Sequence, residues 1–254
     1  ACQNKNMILK ITDPAFEKDI RLYSHSGLCN RLRLISNYKH MSEETEKKIK
    51  MYWVKSKPCM EKFSNLFEPI DNVLFKYIKW NRNERRTRPK DTSNSLGVFP
   101  QDDETYRKNH LIFRPTQNIQ KKIDEVKSNI GGSYISCHIR RTDIATIQRK
   151  YKVAPHLNSF FDKFIDLHPR HKMFLATDSE TTQRRFKNKF KDKIYTHSFI
   201  GGDGSSRWPN RTTSIQDAVV DLFVCIGSVD FLGTNCSSFS GFIRNYRRAL
   251  KCQI

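Results

Sequence analysis

The sequence predicts an α/β fold made of two Rossmann-like domains with a ligand-binding cleft between them. Short β-type runs alternate with helical stretches of about ten to fifteen residues, a pattern typical of βαβ units and parallel sheets. The pair Gly131-Gly132 interrupts this alternation near the middle of the chain. We therefore predict an N-terminal domain over residues 1–130 and a C-terminal domain over residues 131–254.

The N-terminal half begins with a strand that leads through a glycine-containing turn into a helix. The stretch from 80 to 104 is rich in Arg, Asn, Pro and Ser, and we predict a long loop there. The predicted strands are 21–24, 49–54, 73–78 and 110–114, and the predicted helices are 32–38 and 116–128.

The C-terminal half alternates more regularly. Apolar residues at 157, 160, 161, 164 and 165 recur at helical spacing, and the segment 214–227 is a strongly apolar helix. The predicted strands are 134–139, 172–176, 194–199 and 229–234, and the predicted helices are 157–167, 180–190, 214–227 and 237–250.

The chain is strongly basic, with 46 Lys and Arg against 26 Asp and Glu and a formal net charge of +20. Such a charge favours anionic ligands of any kind, so a nucleic-acid-binding protein is the main alternative to an enzyme. The densest basic runs, 82–90 and 184–193, lie beside no aromatic stacking motif and no recognition helix. We therefore expect no nucleic-acid partner.

The seven cysteines form no CxxC motif and no paired Cys/His spacing. This pattern argues against a structural zinc site and against a dense disulfide framework, although a single disulfide stays open for a luminal protein. Cys137 and Cys225 lie in apolar runs and are expected in the core. The longest apolar run, 218–227, is interrupted by Asp221 and is too short to span a bilayer.

Four segments place polar residues at carboxyl ends of predicted strands, where parallel α/β sheets bind their ligands. The first runs from Gly27 to Arg33 and contains Asn30. A glycine before a helix lets backbone N–H groups approach an anion, but an ordinary turn explains the glycine as well. This segment alone is therefore a weak indication of a site.

The second segment, His138 to Asp143, is the most informative. Neighbouring strand residues face opposite sides of a sheet, so Arg140 and Arg141 cannot both point to solvent if helices cover both faces. An arginine binds phosphate oxygens in a bidentate manner and stays charged. The alternative is an ion pair with Asp143 and one exposed arginine.

The third segment ends a strand with Asp178, which can bind a ribose or base or cap the next helix. The fourth contains Ser237 and Ser238, within five residues that hold three serines and a glycine. Hydroxyl and N–H groups at a helix N-terminus suit an anion, although one serine would suffice as a cap. Asp221, on an apolar helix, needs partners or a cleft. Together the four segments predict a nucleotide-diphosphate site.

In this order the motifs resemble those of the α1,6-fucosyltransferases and the rhizobial nodulation fucosyltransferase, in a superfamily that includes the protein O-fucosyltransferases. The resemblance rests on 138–143, 176–178, 220–221 and 237–238 and is strongest over about 131–245. The N-terminal half shares shorter motifs, including a G-x-x-N loop at 27–30. With Trp53, Cys59 and 67–69, that half also resembles uncharacterised glycosyltransferase-like proteins of algae and large viruses.

The resemblance implies a GT-B fold, an inverting transfer without a metal or other cofactor, and GDP-fucose as the donor. It implies that Arg140 binds the β-phosphate and helps GDP to leave, with support from Arg141. The remaining implied donor contacts are His138 and Asp221 to the nucleoside, Asp178 near the base or ribose, Ser237 and Ser238 to the pyrophosphate, and Asn30 from the N-terminal domain.

The chain departs from the α1,6 pattern after Asp143. The α1,6 enzymes carry a Lys and then a Glu proposed as the acceptor base, where this chain has Ile144 and, approximately, Gln148. The base must be a carboxylate or a histidine within reach, so Asp143, His25 and Glu68 are the candidates. A transferase for another nucleotide sugar and a catalytically inactive relative stay open, as do the acceptor, the linkage and the oligomeric state.

Two N-glycosylation sequons occur at 210–212 and 235–237. A glycan on the second would occupy the proposed donor site. We therefore favour a cytoplasmic location over the Golgi lumen.

Overall fold

The computed structural model describes residues 19–79, 103–141, 144–154, 157–197 and 213–252. Contacts divide these residues into two compact units. The first comprises the described residues up to Arg114 together with those from Arg248 onward, and the second runs from Pro115 to Arg247. The helix over 117–130 lies in the second unit because it packs against the helix over 215–226. The division therefore falls between residues 114 and 115, whereas the sequence analysis places the domain boundary between residues 130 and 131.

The first unit contains a parallel three-stranded sheet in the order β1-β2-β3. An aromatic cluster packs on it: Phe63 stacks on Phe75 with ring centroids 3.9 Å apart, and Trp53 meets both rings edge-on. The elements are β1 (Ile20–Ser24), α1 (Leu28–Glu44), β2 (Ile49–Lys55), β3 (Val73–Lys79) and α2 (Asp103–Lys108), with a 3-10 turn over Phe63–Asn65.

The second unit contains a parallel four-stranded sheet in the order β6-β5-β4-β7. Its helices follow the strands as crossover connections, the arrangement that parallel strands require. The elements are α3 (Gln117–Ile130), β4 (Tyr134–Ile139), α4 (Ile144–Lys150), α5 (Asn158–Asp166), β5 (Lys172–Thr177), α6 (Glu180–Phe190), β6 (Ile194–Tyr195), α7 (Ile215–Ile226), β7 (Asp230–Gly233) and α8 (Ser238–Lys251).

The central strand β4 is buried on both faces. Its alternate residues Ile135, Cys137 and Ile139 share one apolar cluster with side chains of α5 and α6. On the other face, the hydroxyl of Tyr134 donates to the carbonyl oxygen of Val224 in α7 at 2.8 Å. The strand is thus apolar on one side and polar on the other.

Most predicted elements agree in type with the structure, and the predicted burial of Cys137 and Cys225 is confirmed. The predicted strand over 110–114 is wrong, because these residues form turns and irregular backbone. His110 and Phe113 are nevertheless buried: Nδ1 of His110 lies 2.9 Å from the carbonyl oxygen of Tyr106, and Phe113 packs edge-on against a neighbouring ring. The burial of these two residues therefore reflects tertiary packing and not a strand.

Two helices, α2 and α4, are absent from the sequence prediction. Residues 80–102 of the predicted loop lie outside the described residues, and its last two positions begin α2. The strand predicted over 194–199 ends at Tyr195, and its positions 198–199 are also outside the described part. Within the described parts of the chain, no helix has the length and apolar character needed to cross a membrane.

The close approach of β7 and α8 yields a stability prediction. A Cβ atom on Gly233 would lie 2.6 Å from Oγ of Ser240, whereas a Cβ atom on Gly241 would meet nothing within 4 Å. We expect Gly233→Ala to lower the free energy of unfolding by about 1–3 kcal/mol through overpacking. The control, Gly241→Ala, should leave it unchanged or raise it by up to about 1 kcal/mol. Urea unfolding measures both, and equal midpoints for the two variants would contradict the close approach.

Candidate functional site

The carboxyl ends of β4, β5 and β7 meet at one edge of the second sheet. His138 pairs with Ala176 on one side and with Gly233 on the other. Thr234 follows β7, and its N–H and hydroxyl both donate to the carbonyl oxygen of His138, at 3.0 and 3.1 Å. The hydroxyl oxygen of Thr234 in turn accepts the N–H of Arg140 at 3.0 Å. This threonine fixes the backbone where β4 ends.

His138 is a buried, neutral side chain at this edge. Its Nδ1 lies 2.7 Å from Oγ of Ser240, and its ring stacks on Phe239 with centroids 4.5 Å apart. Burial lowers the pKa of His138 to about 3, and the positive charges of Arg140 and Arg244 lower it further in the same direction. The ring therefore carries no charge at neutral pH and acts as a hydrogen-bonding and stacking group.

The two arginines after β4 have different surroundings. Nη2 of Arg141 donates to Oδ1 of Asn158 at 2.6 Å, and its guanidinium lies 5.9 Å from the ring centre of Phe161, both in α5. The charge of Arg140 is one of the two that lower the pKa of His138, whose ring packs against α8. Arg141 thus has partners in α5, while Asp143, the third predicted catalytic residue, lies outside the described residues.

Asp178 connects β5 with the end of β4. Its Oδ1 accepts the backbone N–H of Arg141 at 2.8 Å. The capping alternative for Asp178 is wrong, because the residue that caps α6 is Ser179, whose side chain accepts the N–H of Thr182 at 3.2 Å. The half-buried carboxylate of Asp178 therefore lies at the strand edge as part of the cluster around β4.

The N-terminus of α8 carries an unusual serine. Ser237 is only 3 % exposed, and its hydroxyl has no hydrogen-bond partner among the described residues. Buried hydroxyl groups are normally hydrogen-bonded, and the first N–H groups of a helix lack partners within it. Ser238, half-buried, begins the helix. Hydroxyl and N–H donors of this kind match the oxygens of an anion.

Asp221 lies near the middle of α7. Residues 224 and 225 of α7 bond Tyr134 and Ser136 at the beginning of β4, so the earlier turns of the helix extend toward the strand's carboxyl end. Asp221 is one turn before Cys225. Burial raises the pKa of the Cys225 thiol, and the negative charge of Asp221 raises it further by a smaller amount. Asp221 is half-buried, and its place in a donor site stays a prediction.

Several residues of this cluster are absent from the sequence prediction, namely Thr234, Ser240, Asn158 and the pair His197–Asp217. His197 follows β6, and its Nε2 lies 3.2 Å from the carboxylate of Asp217, which also forms the capping box of α7. Ser240 belongs to the serine-rich segment that the sequence singles out. The others make their contacts over 17 or more positions, and a local pattern carries no signal for such distances.

The first unit contains the remaining predicted position. Asn30 lies in the first turn of α1, where its Oδ1 accepts from Nη2 of Arg33 at 3.2 Å. Arg31 is fully buried and donates to the carbonyl oxygen of Ser26 at 2.6 Å and to Oγ of Ser56 at 2.8 Å. Arg31 thus joins the loops that follow β1 and β2 and has a structural role. His25 is half-buried and Glu68 is exposed.

In the ranges that the structure describes, no three His, Cys, Asp or Glu side chains converge in a way that could hold a metal ion. The charged and polar groups at the edge of the second sheet are arginines, hydroxyls, one neutral histidine and the carboxylate of Asp178. This composition suits an anionic, hydroxyl-rich ligand.

No protein-family model matches the sequence, and no match is found among curated proteins. Solved structures do match. The fucosyltransferase NodZ from Bradyrhizobium is 15% identical with a TM-score of 0.55, covering 88% of this chain and 91% of its own. The apo form of POFUT1 is 9% identical with a TM-score of 0.61, covering 91% and 95%. A variant of Arabidopsis thaliana FUT1 in complex with GDP is 11% identical with a TM-score of 0.51, covering 91% and 68%. The chain therefore has a fucosyltransferase-like α/β fold with parallel sheets.

Burial of neutral His138 predicts a loss of stability in mildly acidic solution. Its pKa of about 3 lies below the value of about 6.5 for an unfolded chain, so the unfolded state binds more protons between these values. The contribution is complete above about pH 6.5 and is lost as the pH falls toward 3. Urea midpoints of the wild type should decrease from pH 7 to 4.5, and those of His138→Gln should decrease less.

His110 contributes in the same direction, since burial lowers its pKa to about 4. The variant His110→Gln therefore serves as a comparison for the first unit. An equal acid-induced loss in wild type and His138→Gln would contradict a buried neutral His138.

Proposed function

We propose that this protein is an inverting, metal-independent glycosyltransferase that uses a nucleotide-diphosphate sugar, with GDP-fucose as the donor and a glycan or other hydroxyl as the acceptor. The observation that carries the proposal is the buried hydroxyl of Ser237 at the N-terminus of α8, which has no partner among the described residues and lies at the sheet edge where Arg140 follows β4. The fold is similar to that of a NodZ α1,6-fucosyltransferase crystal soaked with GDP-fucose, which supports the choice of donor.

The pyrophosphate would bind between Arg140 and the first turn of α8. Ser237 and Ser238 offer hydroxyl groups, and the helix offers N–H groups and the positive end of its dipole. Breaking the sugar–phosphate bond places negative charge on the departing diphosphate. A fixed guanidinium and fixed N–H donors stabilise that charge without reorganisation.

The nucleoside would lie along His138 and Asp221. A neutral imidazole contributes stacking and one hydrogen bond without repelling other cations. A carboxylate accepts hydrogen bonds only, which suits the adjacent N–H and NH₂ donors on the edge of guanine. Asp178, close to the end of β4, would contact the ribose or the base. These features favour GDP over UDP.

In an inverting transfer, the acceptor hydroxyl attacks the anomeric carbon from the side opposite the leaving diphosphate and gives its proton to a base. We assign this base to Asp143, which follows the two arginines in sequence. Arg141, bound to Asn158 and Asp178, supports the end of β4 that presents Arg140. The proposal includes a GT-B arrangement in which the first unit serves the acceptor and contributes Asn30 to the donor site.

Donor binding is tested by calorimetry with GDP, GDP-fucose and UDP. Loss of a hydrogen bond to a charged group costs about 1.5–3 kcal/mol, so Arg140→Ala should weaken GDP binding roughly 10- to 150-fold. Arg140→Lys should recover part of this loss, because lysine keeps the charge without the bidentate geometry.

The matched control is Arg248→Ala, which removes one positive charge from an exposed position near the end of α8. It should bind GDP as the wild type does. Thermal unfolding verifies that both variants stay folded. Absence of GDP binding by the wild-type protein at millimolar concentration would refute the proposed function.

The role of the base is tested by transfer from GDP-fucose to a panel of oligosaccharides. Asp143→Asn should lower transfer by at least 10²-fold, the usual contribution of a general base, while GDP affinity stays within a factor of a few. Transfer at the wild-type rate would show that Asp143 is not the base. The other two candidates would then be tested with His25→Asn and Glu68→Gln. GDP binding without transfer to any acceptor would identify a nucleotide-sugar-binding relative that lacks catalysis.

A further inference from the structure

We propose that Cys236 is a thiol modification site at which a low-molecular-weight disulfide of the glutathione type forms a reversible adduct that blocks donor binding. The inference rests on the proposed function, since the ligand excluded by the adduct is the nucleotide diphosphate. The turn between β7 and α8 would thus regulate donor binding through the thiol of Cys236, a role that donor binding itself does not require.

The backbone of Cys236 has an unusual conformation. Its φ of +61° lies in the left-handed region, which glycine and asparagine occupy readily and which other residues adopt at an energetic cost. The turn nevertheless carries a cysteine, and its side chain is exposed. Strained residues of this kind are concentrated at functional sites.

The second observation is the neighbouring buried hydroxyl. Ser237, the next residue, has a side-chain oxygen that is buried and unpartnered among the described residues. Two positions before Cys236, Thr234 bonds the backbone N–H of Arg140. The exposed thiol is therefore one residue from the unpartnered hydroxyl and two from the contact that holds Arg140. A group attached to this sulfur occupies the approach to the first turn of α8.

The other described cysteines differ in accessibility. Cys29, Cys59, Cys137 and Cys225 are buried, and burial raises the pKa of the thiols of Cys137 and Cys225, which makes them unreactive. Cys252 is exposed, but it follows the C-terminal end of α8, about 20 Å along the helix from Cys236. Cys252 therefore provides an internal control at the opposite end of α8.

The chemical step is a thiol–disulfide exchange. Cys236 loses its proton to solvent, and its thiolate attacks one sulfur of glutathione disulfide. A new S–S bond forms, the old one breaks, and the second glutathione leaves as a thiolate. Cys236 is oxidised and one glutathione is reduced, so no further oxidant is needed, and excess thiol reverses the reaction. The adduct adds bulk and carboxylate charge where a diphosphate would bind.

The experiment compares GDP affinity before and after treatment with glutathione disulfide, with the modified cysteines identified by peptide mass mapping. We expect modification of Cys236 to weaken GDP binding at least tenfold, and dithiothreitol to restore it. Cys252→Ser should be inhibited like the wild type, and Cys236→Ser should resist inhibition. Saturating GDP should slow the modification of Cys236 without slowing that of Cys252 in the same sample.

Serine at 236 meets the same backbone constraint as cysteine, so Cys236→Ser tests the thiol without changing the turn. Protein modified at Cys236 that binds GDP as tightly as before would overturn this inference alone. The same holds if GDP gives Cys236 no protection. A wild-type protein that binds no GDP before modification would overturn the proposed function, and this inference with it.

Discussion

The second unit depends on one constraint, which is that the polar side chains on one buried face of β4 must find hydrogen-bond partners within the fold. Tyr134, Ser136 and His138 are all buried on this central strand. α7 supplies carbonyl oxygens to the first two, and α8 supplies the hydroxyl of Ser240 to the third. The spacing of three polar residues along one strand therefore determines where two helices lie.

α8 is held at two levels of the sheet. Ser240 bonds His138 in its first turn, and near its other end Arg247 donates to the carbonyl oxygens of Ile226 and Val229. A helix anchored twice presents its first N–H groups in a fixed direction, which preorganised charge stabilisation requires. Several of these contacts use backbone carbonyl oxygens, which any residue type provides. A fold maintained in this way tolerates extensive sequence change, in keeping with its similarity to structures that are only 9% to 15% identical.

Apart from the short helix α4, the strands and helices of the second unit could be predicted because each has a clear period and is bounded by glycine or polar residues. The hydrogen-bond partners could not be predicted: Ser179 rather than Asp178 caps α6, and Arg31 is buried with its guanidinium bound to Ser26 and Ser56. Local sequence indicates which groups need partners, whereas the three-dimensional fold decides which partners they obtain.

The edge of the second sheet combines parts of the chain that are far apart in sequence. His138 and Ser240 are 102 positions apart, and β7, which pairs with β4, follows it by more than ninety residues. Closing a loop of this length costs entropy that is recovered only when the distant contact forms. During synthesis, β4 therefore emerges long before the elements that complete its polar face. Until β7 and α8 have been made, the nascent chain has the arginines of the proposed donor site but neither Thr234 nor the serines of α8 that would complete it.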